Sequence, residues 1–328
     1  MKEHIQRFAA HLSESLMISE GVSFTNTDVK RIQNILISGL GGSGIGGTVV
    51  SEILADRLSL PVIVNKDYSL PEFVNENTLV IACSYSGNTE ETLAVFELAE
   101  KKNAQVICIS SGGKLSQLAK EGAHELVTIP GGLPPRASFG YPFVQLLNVF
   151  VKLGFVSGLL MKDIAAAIKL LEQEQENIQH EAVALANKLF GKTPVIYALS
   201  GCEGIALRFR QQLNENSKML AWHNVFPEMN HNELVGWTGK KDELAVVALR
   251  TSNDHPKNVI RLEICKTIIS DCTSSWSDIF AKGDTRISQA LYLIHLTDWV
   301  SLYLAQLKNI DPVEVKVIDF LKGELAKS

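Results

Sequence analysis

The residues best suited to chemistry lie in one short stretch, Ser84-Tyr85-Ser86-Gly87-Asn88-Thr89. An apolar run from Leu79 to Cys83 precedes it and has the make-up of a buried parallel strand, while Leu93, Phe96 and Leu98 recur beyond it at helical spacing. Three small hydroxyls and a glycine therefore fall where a strand turns into a helix. Backbone N–H and side-chain O–H groups can converge there on one point at the positive end of the helix. That chemistry is anion binding, and phosphate is the expected anion. The competing reading is structural: Ser84 and Ser86 fill a turn and Thr89 caps an ordinary helix.

A second strand-to-helix loop precedes it. Asn34 to Ser38 reads as a strand, followed by Gly39-Leu40-Gly41-Gly42-Ser43-Gly44-Ile45-Gly46-Gly47 and a helix through Val50, Ile53 and Leu54. Gly39, Gly41 and Gly44 form a literal G-x-G-x-x-G, which raises a dinucleotide fold. Such a site wants an acidic residue at the tip of the next strand, and after Pro61 to Val64 the chain offers Asn65 and Lys66, with Asp67 late. The alternative brings Ser43 and bare backbone to the same phosphosugar ligand as the 84–89 loop, to which a dinucleotide reading gives no role. Beyond the strand at Glu125 to Ile129 comes Pro130-Gly131-Gly132-Leu133-Pro134-Pro135-Arg136-Ala137-Ser138. Prolines ahead of Arg136 suggest a guanidinium held in one place, able to pair with a phosphate or a developing oxyanion. A solvated loop arginine is the plain alternative.

Strands and helices alternate through these loops, which calls for a parallel sheet with helices on both faces and a ligand at the carboxyl ends of its strands. The second half repeats the plan. Pro194 to Leu199 is a strand, Ser200 to Gly204 a loop leading to a helix, Glu243 to Leu249 another strand, and Lys257 to Ile269 another helix. Most of the loop glycines are missing there, so the second unit is not expected to bind phosphate in the same way. The expected organisation is a helical lead-in over 1–30, an α/β unit over 31–150, and a second over 151–328 that includes a polar, helix-prone connection around Glu172 to Glu181. At 328 residues and 46% hydrophobic the chain has room for two such cores. A formal charge of −5 without a basic run gives no reason to expect nucleic acid or an anionic membrane as partner. Cys83, Cys108, Cys202, Cys265 and Cys272 show no C-x-x-C pair and read as buried free thiols, which fits a cytoplasmic protein. The most apolar window, Phe143 to Met161, is broken by Gln145, Asn148 and Lys152 and is expected to be a buried helix pair rather than a span.

Gly41-Gly42-Ser43-Gly44, Ser84 to Thr92 and Pro134-Pro135-Arg136-Ala137-Ser138 together resemble the sugar isomerase (SIS) fold. More narrowly, the chain resembles the bifunctional phosphoglucose/phosphomannose isomerase family. The likeness continues through Asn214-Glu215-Asn216-Ser217-Lys218, Phe226-Pro227-Glu228-Met229-Asn230-His231-Asn232-Glu233, Asp311-Pro312 and Ile318-Asp319-Phe320-Leu321-Lys322, so it covers nearly the whole chain. It implies two SIS-type units, each a parallel sheet flanked by helices. It also implies roles: Gly42, Ser43, Ser84, Ser86 and Thr89 for the phosphate, Arg136 for the intermediate, Glu215 as proton shuttle, His231 in ring opening and Lys322 assisting. Lys316 and Lys327 lie close to Lys322 in sequence and could exchange roles with it.

Aldose and ketose interconvert when a base takes the proton from C2 and returns it to C1 through an enediolate, so one carboxylate can serve both steps. Closed sugar rings need a second group to pass protons between ring oxygen and anomeric hydroxyl, work suited to a histidine. The resemblance implies a hexose 6-phosphate substrate and a homodimer that shares its active site between chains, and the chemistry itself requires no metal or redox cofactor. Taken without the resemblance, Glu215 reads as a surface glutamate and His231 as a solvated histidine. A phosphosugar sensor that binds without turnover is the alternative function, although no helix-turn-helix pattern precedes residue 31. The apolar character of Phe143 to Met161 and of 258–307 adds an expectation of a buried subunit face.

Overall fold

The computed structural model describes residues 1–325 and 327, which form two compact units. The N-terminal unit comprises Gln6–Gln173 with Gly283–Leu291, and the C-terminal unit comprises Met1–Ile5, Glu174–Lys282 and the residues from Tyr292 onward. After helices α1 (Lys2–Gln6) and α2 (Phe8–Glu20), the chain runs β1 (Asn34–Ser38), α3 (Gly41–Leu54), β2 (Val62–Asn65), β3 (Thr78–Ser84), α4 (Glu90–Lys101), β4 (Gln105–Ser110), α5 (Gly113–Glu121), β5 (Glu125–Thr128) and α6 (Gly140–Lys152). The five strands form one parallel sheet in the order β2-β1-β3-β4-β5. β1 therefore feeds one edge and β3 the other, which makes the gap between their carboxyl ends the switch point of the sheet. Every residue of β3 is buried, as its unbroken apolar run requires of a central strand covered on both faces. On one face Val95, Phe96 and Ala99 of α4 and Leu115 and Ala119 of α5 meet Val80, Ala82, Val106 and Cys108.

The rest of the chain runs α7 (Leu159–Leu189), β6 (Thr193–Leu199), α8 (Glu203–Ser217), β7 (Trp222–Phe226), β8 (Leu244–Arg250), α9 (Pro256–Ser270), β9 (Trp276–Phe280), α10 (Arg286–Leu307) and α11 (Lys316–Leu325). Two short 3-10 helices, Glu228–His231 and Glu233–Gly236, separate β7 from β8. The second sheet is again parallel, in the order β7-β6-β8-β9, so β6 and β8 flank its switch point as β1 and β3 flank the first. The five cysteines are free thiols and four are buried, with Cys202 partly exposed. Among the described residues no helix is long and apolar enough to cross a membrane.

The apolar stretches expected to form a subunit face differ from one another. Residues 140 to 150 are buried, with α6 packed on α2 and α3, and α10 is buried along most of its length. Their apolar character is used up inside the chain. Within 258–307, α9 does leave an apolar face outside, at Ile260, Ile264 and Ile268, and α11 exposes Val317, Phe320 and Leu321.

Candidate active site

In the N-terminal unit three loops meet at the switch point. Helix α3 opens on Gly41 and Gly42 after Leu40, whose side chain makes no cap hydrogen bond. Helix α4 starts after Thr89, and Thr89 does not cap it either: its hydroxyl lies 2.8 Å from Ser84 Oγ. Both helix starts thus keep first-turn N–H groups without a side-chain cap at the positive end of the helix dipole. Ser43 Oγ accepts from Tyr85 N at 3.1 Å and so joins the two loops. Ser84 Oγ also accepts from Gly87 N (3.1 Å), and Ser86 Oγ accepts from Asn88 N (3.2 Å). Ser43 and Ser84 are buried struts, Thr89 is half-buried, and Ser86 is exposed at the mouth.

The third loop carries Arg136. It is 5% exposed, so the solvated-arginine reading fails. The loop lies hard against the glycine loop, since a Cβ on Gly42 would stand 2.6 Å from the Pro135 carbonyl oxygen. Tyr85 fastens it as well, since Leu133 N donates to the Tyr85 hydroxyl at 3.0 Å, and Ser111 Oγ, in the loop after β4, donates to the Tyr85 carbonyl at 2.6 Å. Burial pushes the Tyr85 phenol up, so the hydroxyl that accepts the Leu133 bond stays protonated. Two uncapped helix starts, exposed and half-buried hydroxyls and the adjoining loop that carries buried Arg136 make up an arrangement whose chemistry suits an anion.

In the C-terminal unit Glu215 occupies the last turn of α8 and is half-buried, not a surface residue. The helix ends at Lys218 in the left-handed conformation, φ 49°. Lys218 Nζ donates to the carbonyls of Glu215 (2.7 Å) and Asp311 (2.9 Å), and Lys308 Nζ donates to those of Ser217 (2.8 Å) and Lys218 (3.0 Å). Two ammonium groups thus satisfy carbonyls at the negative end of the helix that carries Glu215. Asn216 and Ser217 add bonds of 2.9 and 2.7 Å to Ser301 on α10. A deeper pair anchors the same helix: Arg208 Nη2 lies 2.7 Å from Asp298 Oδ2 and Gln212 Nε2 2.8 Å from Oδ1. His231 closes the 3-10 helix Glu228–His231 and is exposed, as a solvated histidine would be. Lys322 is exposed on α11, and its sequence neighbours Lys316 and Lys327 lie 4.0 and 2.7 Å from Glu314 and Glu324.

The structure therefore brings Gly42, Ser43, Ser84, Ser86, Thr89 and the loop bearing Arg136 together within one unit, and places Glu215, His231 and Lys322 in the other. Sequence reasoning missed Tyr85, which ties three loops to one another, and the Lys218–Lys308 clamp. Only the apolar ring among hydroxyls hinted at the first, and nothing local marked the second.

A parallel sheet with this arrangement at its switch point, followed by a second sheet of the same plan, defines a protein of the SIS class. Residues 29–132 match the SIS domain, and residues 178–325 match the bacterial phospho-glucose isomerase C-terminal SIS domain. The bifunctional phosphoglucose/phosphomannose isomerase of Caldicellulosiruptor bescii is 42% identical over 338 residues, spanning 100% of this chain and 99% of its own. The enzyme of the same name from Aquifex aeolicus is 37% identical over 303 residues, 92% of each chain. The C-terminal domain of glucosamine-fructose-6-phosphate aminotransferase from Francisella tularensis shares the fold, with a TM-score of 0.78 at 15% identity over 95% of this chain and 96% of that one. The chain belongs to the bifunctional phosphoglucose/phosphomannose isomerase family.

Proposed function

We propose that the protein interconverts glucose 6-phosphate and mannose 6-phosphate with fructose 6-phosphate through an enediolate. The observation that carries this reading is the arrangement at the first switch point, where Ser43 Oγ and Tyr85 N lock two uncapped helix starts together beside the loop of buried Arg136. The substrate phosphate binds there, at Gly42, Ser43, Ser84, Ser86 and Thr89, which fixes the reacting carbons in register. Arg136 stabilises the enediolate oxygen. Glu215 removes the C2 proton and returns it to C1, His231 passes protons between ring oxygen and anomeric hydroxyl, and Lys322 assists. Membership of the family and the half-buried setting of Glu215 support these assignments. The enzyme acts as a homodimer in which the partner subunit's His231 completes the site of Glu215, a reading supported by the uncovered isoleucines of α9. Its free thiols suit the reducing cytoplasm.

The test is to assay glucose 6-phosphate, mannose 6-phosphate and fructose 6-phosphate side by side in EDTA, for the wild type and for Glu215→Gln. The wild type should turn over all three. Glu215→Gln keeps its shape but accepts no proton, so turnover and exchange of the C2 proton with solvent deuterium should fall by roughly 1,000-fold while substrate still binds. Wild-type binding without turnover would point instead to a phosphosugar sensor. Retained exchange in Glu215→Gln would assign the base elsewhere.

A further inference from the structure

Glu233 stands two residues beyond His231, at the start of the second 3-10 helix. Its Oε1 accepts from the Tyr197 hydroxyl and from Trp222 Nε1 (3.2 Å), and its Oε2 accepts from Asn224 Nδ2 (2.8 Å). The Tyr197 hydroxyl accepts in turn from Trp237 Nε1 at 2.8 Å. Tyr197 belongs to β6, Trp222 and Asn224 to β7, and Trp237 follows the second 3-10 helix directly. One carboxylate therefore fastens the strap of residues 227–237 to two neighbouring strands. Burial, and then the adjacent Glu233 carboxylate, pushes the Tyr197 phenol far up, so it stays a neutral donor. Asn232 adds a local lock, accepting from Glu233 N at 2.6 Å and donating to Glu228 Oε1 at 2.7 Å.

His231 lies on this strap, between the two glutamates, with its own side chain exposed. A ring with two rotors in solvent has no fixed position unless its backbone is held, and a misplacement of about 1 Å at a reacting group can cost on the order of 100-fold in rate. Both oxygens of Glu233 face donors of its own unit, which suits an anchor and not a base reaching for a substrate carbon. Hydrogen bonds to a carboxylate are about twice as strong as neutral ones, so one charged group can secure the whole strap.

We infer that Glu233 is a positioning residue for ring opening, holding the strap against β6 and β7 so that His231 is presented in one place. The inference rests on the reading of His231 as the ring-opening group. Glu233→Gln keeps the length but turns one acceptor into a donor that faces other donors. Exchange between the α and β anomers of glucose 6-phosphate, followed by magnetisation-transfer NMR, and kcat/KM on fructose 6-phosphate should both fall about 30-fold, below the roughly 100-fold of a full misplacement. Affinity for an open-chain sugar-acid phosphate, which needs no ring opening, should stay within about 2-fold. Asn224→Ala removes one donor without touching the strap and should show the same pattern at smaller size, which keeps the idea testable should Glu233→Gln fold poorly.

Wild-type anomer exchange in both folded variants overturns the inference. So does an equal loss of affinity for the open-chain analogue, the signature of a purely structural role. His231→Ala separates this inference from the reading beneath it. Unchanged anomer exchange in His231→Ala removes the role of His231 altogether; lost exchange there, with normal exchange in Glu233→Gln and Asn224→Ala, removes only the positioning.

Discussion

The hydroxyls of the 84–89 loop do not all do the same work. Ser84 is buried and occupied, bonded to Gly87 N and to Thr89, whereas Ser86 stands exposed with its oxygen 3.2 Å from Asn88 N. Ser86→Ala with Thr89→Ala should therefore remove groups proposed to contact the phosphate and leave the loop folded. Hydrogen bonds to a charged group contribute about 1.5–3 kcal/mol each, so losing two should raise KM by at least about 100-fold with little change in Tm. Unchanged kinetics in the folded double variant would take the phosphate away from this loop. The hydroxyls and Arg136 were legible in the sequence because a strand-to-helix turn is a local pattern. Tyr85 was not, because its value lies in bonds to Ser43, Ser111 and Leu133, partners far along the chain that only the folded sheet brings near. Glu215 shows the same limit: its half-buried setting depends on a helix end clamped from Lys308, 93 residues later.

The elements were easier to read than their allegiance. Apolar runs place β1 to β5, β6 and β8 close to where they stand, because the central strands are buried almost throughout. The part-exposed edge strands β7 and β9 carry no such run and were not legible. Periodicity cannot say which compact unit a helix serves. α7 is one unbroken helix of 31 residues, yet the division between units falls inside it, after Gln173, and Gly283–Leu291 return to the N-terminal unit. The loops between elements are set just as firmly by what cannot be there. Gly87 has φ +71°, and a Cβ on it would stand 1.8 Å from the Gly112 carbonyl oxygen. Gly87→Ala should therefore push the 84–89 and 110–113 loops apart, abolish measurable phosphate binding and lower Tm by about 5 °C or more, since backbone strain of this kind costs on the order of 1–3 kcal/mol. Gly158→Ala, whose Cβ would meet only Val151 at 3.9 Å, is the control and should leave both unchanged. An unaltered Gly87→Ala protein would mean that the two loops are not braced against each other.

For the whole molecule the decisive question is whether one chain suffices. Glu215→Gln and His231→Ala proteins, each inactive alone, can be mixed and their subunits exchanged. If the partner's His231 serves each Glu215, a mixed dimer holds one site with both defects and one with neither, and random exchange restores about a quarter of wild-type activity. Exchange proven by mass with no return of activity would assign both residues to a single chain. The loops at the first switch point bear on how such a protein can change over generations. Gly42 stands against the Pro135 carbonyl and Gly87 against that of Gly112, so the proposed phosphate site is framed by main chain that no side chain can enter. Main-chain donors are blind to which sugar hangs from the phosphate. Under the proposed assignments, descent can alter the sugar that is accepted by varying Glu215, His231 and their neighbours, while the framework of the phosphate site is inherited intact.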